Sequence, residues 1–386
     1  MSPVVAGFPR LRFCLLVASI AAVSGCTADY SMEPQPAGPL CPSQSAALGT
    51  ADSIIAWYGP GQARDKRKLG EWCKTVGPSV IDSLPSPDYG NWVIGDSLAI
   101  VTWNVNVGGG DLELFLREEL DLDCERGQPT RGRHTPHFAL LLQEARRQSH
   151  AVPIVPDGRN VPPRIEPDPW PGEHRDIVDI ARGCGLALFY VPSMRNGVEE
   201  TDGTREDRGN AILSTLPLSD FVALELPFEG SRKVTVAATV HSQAGDSLRL
   251  VNLHFSVSST FYRTLTTGNS TRLRQAQGMV EALSIVEAER SPDAAPSIAT
   301  TAGGDTNTWS DDETALQQLR IDFPESPPSG GVITRAPFPT DHIFFRQDAE
   351  RRIELIDGSY RRTESTYDSD HQARIVWLRA VLGVGK

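Results

Sequence analysis

The sequence predicts a sandwich of the α/β or α+β class, and two features carry that expectation. From Ser97 onward, short β-rich runs alternate with polar loops, and several runs are apolar on both faces, as strands in a sheet centre must be. Between them fall stretches with helical spacing, which belong on the outside of the sheets. The expected strands are residues 98–103, 138–142, 186–191, 210–214, 233–240 and 248–254, then 342–345, 352–356 and 375–378. Residues 272–289 set Leu273, Ala276, Val280, Leu283 and Val286 on one stripe, which predicts a helix packed on the core. A second helix is expected to open at Ser310-Asp311-Asp312-Glu313, with Ser310 as N-cap and acids in the first turn. The proline-rich residues 152–172 read as a surface loop.

Upstream, the organisation changes. Arg10 and Arg12 precede an apolar run, 13–23, too short to span a membrane as a stable helix. It ends in Val23-Ser24-Gly25-Cys26, which resembles a bacterial lipoprotein signal. The resemblance implies a signal peptide over 1–25 and a lipidated Cys26 as the first mature residue. A plain secretory signal is the alternative. Thr27 rather than Asp follows the Cys, which points to an outer-membrane or periplasm-facing envelope lipoprotein, secreted across the inner membrane. Residues 26–49 read as a flexible tether, 50–96 as a partly ordered extension packed through its aromatics, and 97–386 as the catalytic domain.

With Cys14 in the signal and Cys26 assigned to lipid, Cys41, Cys73, Cys124 and Cys184 remain. An even number in an oxidising compartment points to disulfides, and Cys41–Cys73 with Cys124–Cys184 is the favoured pairing of the three. No Cys-x-x-Cys pair argues for zinc. The 386 residues carry a formal net charge of −12, which weighs against a partner held by a broad basic footprint. Arg146, Arg147, Arg361 and Arg362 are the nearest approach to a basic patch.

Polar clusters stand at the ends of the predicted strands. Asn104 follows the first, Gln143-Glu144 the second, and Arg208-Gly209-Asn210 precedes the fourth. Asn252 and His254 lie two apart, so strand alternation puts both on one face. Asp305 and Asn307 share that spacing; Asp341-His342 and Ser369-Asp370-His371 complete the series. An acidic ligand and an imidazole held close together suit metal-assisted phosphoester hydrolysis. His342, one residue from Asp341, falls on the opposite face and reads as structural.

The ordered set Trp103-Asn104, Gln143-Glu144, Gly209 to Ser214, Asn252-Leu253-His254, Gly304-Asp305-Thr306-Asn307, Asp341 to Phe344 and Ser369-Asp370-His371 resembles the endonuclease/exonuclease/phosphatase superfamily, across residues 99–378. The resemblance implies an α+β, four-layer sandwich of two mixed β-sheets flanked by helices, with a divalent-metal site at one end. Glu144 would be the principal metal ligand, Asn104 its neighbour, and Asp370 a ligand for a second ion. Oxygen ligands of this kind suit Mg2+ or Mn2+. Asp305 and Asn307 would orient the attacking water or the phosphate. His371 would act as base or phosphate donor, with Asp341 behind it. His254 would contact the phosphoryl group or leaving oxygen, a structural His being the alternative. Asn210, Asn252 and Arg208 would contact phosphate, although Arg208 reads equally as a solvated arginine and Asp370 as a turn cap. Two positions depart from the family pattern: Thr306, where Phe is commoner, and Gln372-Ala373, where Pro often follows.

The expected activity is that of a divalent-metal-dependent phosphoester hydrolase on the envelope, a phosphodiesterase or phosphatase acting as a monomer. A nuclease taking DNA or RNA, and an inactive surface binding module, are the alternatives.

Overall fold

Along the strand Ser97–Asn104 the side chains divide between two cores. Leu98 and Ile100 join one apolar cluster, while Ala99, Val101 and Trp103 join another, as period-two alternation requires of a strand buried on both faces. The computed structural model describes residues 31–36, 54–124, 129–132, 135–153, 174–196, 205–257, 270–290, 298–326 and 332–382. Cys26, Cys41, the predicted signal, most of the predicted tether and most of the 152–172 loop lie outside these residues.

Two mixed sheets make the sandwich. The seven-stranded sheet runs, in spatial order, Met32–Pro34, Ala56–Pro60, Ser219–Glu225, Val234–His241, Ser247–His254, Ala299–Asp305 and Asp341–Arg346. The eight-stranded sheet runs Ile353–Leu355, Arg374–Ala380, Ser97–Asn104, His137–Gln148, Glu206–Ser214, Ala187–Asn196 and Val80–Asp82, with Arg361–Arg362 paired to Arg374–Ala380. Between the sheets lies a core drawing Leu141, Phe189 and Ile212 from one and Ala223, Val236, Leu250 and Ile343 from the other. Helices Leu112–Leu120 and Ile177–Gly183 cover the outer face of the eight-stranded sheet through Phe115, Leu116 and Ile180. Helices Ser270–Arg290 and Thr314–Asp322 pack on each other and on strands of the seven-stranded sheet, the fourth layer. Each fully buried Phe in these layers contributes on the order of 1.5–3 kcal/mol over leaving it exposed. Cys124 and Cys184, both in the helix-side core, are joined by a disulfide with a Cα–Cα distance of 5.0 Å. Cys73 is also disulfide-bonded.

Several elements differ from their sequence expectation. The segment 50–96 is integral to the sandwich. Ala56–Pro60 pairs in parallel with Ser219–Glu225, Val80–Asp82 edges the other sheet, and Trp57, Trp72, Tyr89 and Trp92 are buried. Met32–Pro34, inside the predicted tether, pairs antiparallel with Ala56–Pro60 and buries Met32. The helix expected at Ser310 starts instead at Thr314, without a side-chain cap bond. Glu313 is withdrawn into the interior, where its carboxylate accepts from Arg272 Nε and the Trp309 amide at 2.8 and 2.7 Å. Asp311 pairs with Arg320 rather than capping. In Ser270–Arg290 the buried stripe runs through Ala276, Met279, Leu283 and Val286, with Leu273 and Val280 half-buried. No helix among the described residues is long and apolar enough to cross a membrane.

Candidate active site

Strand pairing alone brings most of the candidate residues to one end of the sandwich. In the seven-stranded sheet His254 stands opposite Asp305, and Asp305 opposite Asp341. In the eight-stranded sheet the parallel pair Ser97–Asn104 and His137–Gln148 sets Asn104 opposite Gln143. The two rows meet where Asn104 Nδ2 donates across the sandwich to Asp305 Oδ2 at 3.0 Å. Gly303 and Gly304 permit this approach. A Cβ at Gly304 would lie 1.8 Å from the Leu253 carbonyl oxygen, and one at Gly303 2.9 Å from a Leu141 methyl.

Glu144 lies within a strand, not after one. His137–Gln148 is twelve residues long, and its register with Glu206–Ser214 shifts between Leu142 and Ala145. At this bulge Glu144 takes a left-handed φ of 57°. Gln143 stays wholly buried while Glu144 is turned out to the cavity, the re-aiming that a β-bulge produces.

Behind the row stands a buried carboxylate–imidazole pair. His371 Nδ1 donates to Asp341 Oδ2 at 2.8 Å, and Thr340 Oγ1 donates to the same oxygen at 2.9 Å. This bond leaves Nε2 facing forward, 3.9 Å from Asp305 Oδ2 and 3.7 Å from Asp370 Oδ1. The triplet containing His371 is pinned to the first strand. Ser369 Oγ donates to the Asn104 carbonyl at 2.7 Å, and Trp103 Nε1 donates to the His371 carbonyl at 3.0 Å. Burial pushes His371 toward neutrality, but the Asp341 charge and hydrogen bond, then Asp305 and Asp370, outweigh it and raise its pKa to about 9. Burial also pushes Asp341 up, and His371 reverses this, so Asp341 is held below the usual carboxylate range. For Asp305 burial wins: despite His371 and the hydrogen bonds from Asn104 and Asn307, its pKa rises to about 6.

A cavity of about 340 Å³ opens in front of this pair. Asn104, Glu144, Arg208, His254, Asp305 and Asn307 line it, joined by Lys233 and Arg335, which the sequence reading missed. Asn307, at φ 52°, donates its backbone N–H to Asp305 Oδ1 and its Nδ2 to the Phe255 carbonyl, at 2.7 and 2.8 Å. Arg208 pairs with Glu144 at 3.1 Å, and Arg335 with Asp370 at 2.7 Å. Burial raises Glu144, but Arg208, Lys233 and His371 hold it below the ordinary range, so it is ionised at neutral pH. Lys233 Nζ donates to His254 Nε2 at 2.9 Å. Burial lowers Lys233 to about 8, Glu144 partly opposing. Burial, then Lys233 and Arg208, press His254 well below the normal range. His254 is thus a neutral acceptor, and the cation at this wall is Lys233. Lys233 opens the strand Val234–His241, where a lysine reads as an ordinary solvated strand end.

Other predicted positions fall elsewhere. Asn210 and Asn252 do not reach the cavity. Asn252 Nδ2 donates to the Leu142 and Ala211 carbonyls at 2.8 Å each, and its Oδ1 accepts from Gln143 Nε2 at 2.8 Å. Asn210 Nδ2 donates to the Val234 and Asn252 carbonyls. Their amides are spent fastening one sheet to the other, because strand alternation turns both into the dry inter-sheet space. Asn252→Leu is therefore expected to leave two buried carbonyls unpaired and cost about 2–4 kcal/mol, read by urea unfolding. A raised KM with unchanged stability would instead return Asn252 to phosphate binding. Asp370 faces Arg335 beside the cavity, and His342 is buried, its Nε2 donating to the Pro339 carbonyl at 2.8 Å. The basic patch does not form. Arg146 and Arg147 are buried against Glu206 and Asp207, and Arg361 pairs with Glu119 at 2.8 Å.

The donor set decides which metal suits the site. Among the described residues no three or more His, Cys, Asp or Glu side chains form a metal cage. Of the cavity's carboxylates, Asp305 is engaged by Asn104 and the Asn307 N–H and Glu229 by Arg274, which leaves Glu144 for a cation, with the amide oxygen of Asn104, which already accepts from the Asn106 N–H at 3.0 Å. One carboxylate with hard oxygen neighbours fits a magnesium-type ion that completes its shell with water and substrate oxygens, and does not fit a zinc-type site.

No family model matches the chain, and no curated protein matches it. Among solved structures it is similar to an endonuclease/exonuclease/phosphatase from Beutenbergia cavernae, with 15% identity, TM-score 0.48, covering 75% of this chain and 73% of that one. It is similar to the human Nocturnin catalytic domain with bound sulfate, at 13% identity and TM-score 0.45, over 74% of this chain and 95% of that one. A sphingomyelinase C from Streptomyces griseocarneus shows 14% identity and TM-score 0.39, over 73% and 99%. At these values the likenesses carry no residue's role over to this chain.

Proposed function

We propose that the chain is a divalent-metal-dependent phosphoester hydrolase of the phosphodiesterase or phosphatase type. One observation carries the reading: Glu144, Asp305 and Asn307 face a single cavity with the Asp341–His371 pair directly behind Asp305. Paired acid–base groups whose environments set their proton affinities apart are what hydrolysis at phosphorus requires. Magnesium or manganese, held by Glu144 with Asn104, would supply charge stabilisation to the phosphoryl oxygens.

The residues divide the remaining work. Asp305, with a pKa of about 6, takes a proton from the attacking water near neutral pH. His371, with its pKa raised to about 9, is an imidazolium at that pH, so the proton goes to Asp305. It balances the Asp305 carboxylate and presents an N–H toward the reacting centre. The Asp305 carboxylate is aimed by Asn104 and the Asn307 N–H. Burial of Arg146 and Arg147 in ion pairs removes the support for a nucleic-acid backbone groove, so the nuclease reading ranks second.

The test is a substrate panel. Residues 27–386 are expected to turn over an aryl phosphoester with magnesium or manganese and to lose that turnover in EDTA. Plasmid DNA cleaved faster than aryl esters and sphingomyelin would favour the nuclease; magnesium-independent turnover would sink the metal assignment. Display on the envelope through a lipidated Cys26 belongs to the same proposal. Cys26→Ser is expected to release the protein from the membrane fraction, and unchanged retention would refute the anchor.

A further inference from the structure

Three acids line the cavity, Glu144, Glu229 and Asp305, and three cations, Arg208, Lys233 and Arg335. Glu229 and Arg335 are answered at its edge, by Arg274 at 2.9 Å and Asp370 at 2.7 Å. The centre is left with Glu144 and Asp305 facing Arg208 and Lys233. Lys233 differs from the others. It is only 6% exposed, its hydrogen-bond partner His254 is neutral, and no described carboxylate lies within ion-pair distance of it. A buried ammonium answered by a neutral imidazole still has N–H donors to give and a charge to balance. Its free side is the cavity.

We propose that Lys233, with Arg208 beside it, selects a terminal, doubly charged phosphoryl group, so that the substrate is a small phosphomonoester rather than a phosphodiester. This rests on reading the cavity as the phosphoester site. The charge count supports it. With the Asp341–His371 pair neutral as a whole, two acids against two cations are balanced, so a bound divalent ion would leave two positive charges, which a phosphomonoester dianion cancels and a diester monoanion does not. At neutral pH a terminal phosphoryl group carries close to two charges and offers three strong acceptor oxygens. A diester would set a weakly accepting ester oxygen against one of the buried donors. A volume of about 340 Å³ has room for a phosphoryl group with a small substituent.

Phenylphosphonate and its monomethyl ester test this without turnover, since they differ by one charge on the same skeleton. With magnesium present, the full chain is expected to bind the dianion about ten- to a hundred-fold more tightly by calorimetry, the value of one charge-assisted hydrogen bond. Lys233→Met, shown to be folded by its thermal midpoint, is expected to bring the two affinities within about three-fold, and Lys233→Arg to restore the preference. Equal affinity in the wild-type chain, or a Lys233→Met variant that weakens both probes alike, would overturn the proposal. The wild-type comparison decides even if Lys233→Met fails to fold. Absence of turnover on every phosphoester, with the dianion preference intact, would remove the hydrolase reading and leave this one standing.

Discussion

Glu144→Gln is expected to lower kcat/KM for any phosphoester the protein cleaves by about a thousand-fold, while its thermal midpoint stays close to wild type. The amide keeps the shape of the carboxylate on the bulge but removes the charged oxygen that would hold a hard cation. The fold should tolerate the change, because the side chain is 19% exposed and Arg208, its partner at 3.1 Å, can still use the amide oxygen. Glu144→Ala is a poorer probe: it leaves Arg208 buried without an acceptor and mixes a stability loss into the kinetics. Magnesium titration calorimetry separates the two. The heat of binding should vanish in Glu144→Gln, and retention of both that heat and a tenth of the activity would show that Glu144 is not the ligand.

The sandwich was legible in the sequence because its central strands are apolar on both faces. Residues 98–103, 138–142 and 248–254 read as strands for the same reason that they are buried. Strands built of small or polar residues escaped. Ala299–Asp305, sequence ATTAGGD, has no apolar alternation, because Gly303 and Gly304 lie where neighbouring atoms leave no room for a side chain. Met32–Pro34 and Ala56–Pro60 sit among Gly and Pro, and only pairing makes them strands, Ala56–Pro60 with Ser219–Glu225 and Met32–Pro34 with Ala56–Pro60. The helix after Ser310 was misplaced because local capping chemistry cannot foresee that Arg272, forty-one residues away, draws Glu313 inward.

The site was legible in its ends and not in its walls. Asn104, Glu144, His254, Asp305 and Asn307 stand at strand termini or a bulge, so an ordered polar series could find them. Asn252 was placed on the correct face but the wrong side of the cavity floor: alternation fixes the face, and only tertiary packing says which rung opens to solvent. Lys233 and Arg335 carry no pattern, since a lysine at a strand start and an arginine in a turn are ordinary in any sequence. Their meaning comes from burial against His254 and from the ion pair with Asp370.

Asp305→Asn is expected to reduce kcat by about a hundred- to ten-thousand-fold with little effect on metal binding, the range for loss of a positioned general base. The amide has a single acceptor oxygen, so it keeps one of the bonds from Asn104 Nδ2 and the Asn307 N–H and loses the other together with proton acceptance. The pH profile gives the sharper test. Asp305 must be ionised to act, and its folded pKa is raised to about 6, so kcat/KM should climb as pH rises through that value. His371 must stay protonated, and with its pKa raised to about 9 activity should fall as pH rises through that value, giving a bell between the two. His371→Asn should remove the fall near 9 and leave the one that Lys233, lowered to about 8, contributes through substrate binding. It should also shift the acid limb upward, because the imidazolium, second only to burial in its effect, holds Asp305 down. Were His371 the base, the assignments would invert: activity would rise through about 9 and Asp305→Asn would leave that limb in place.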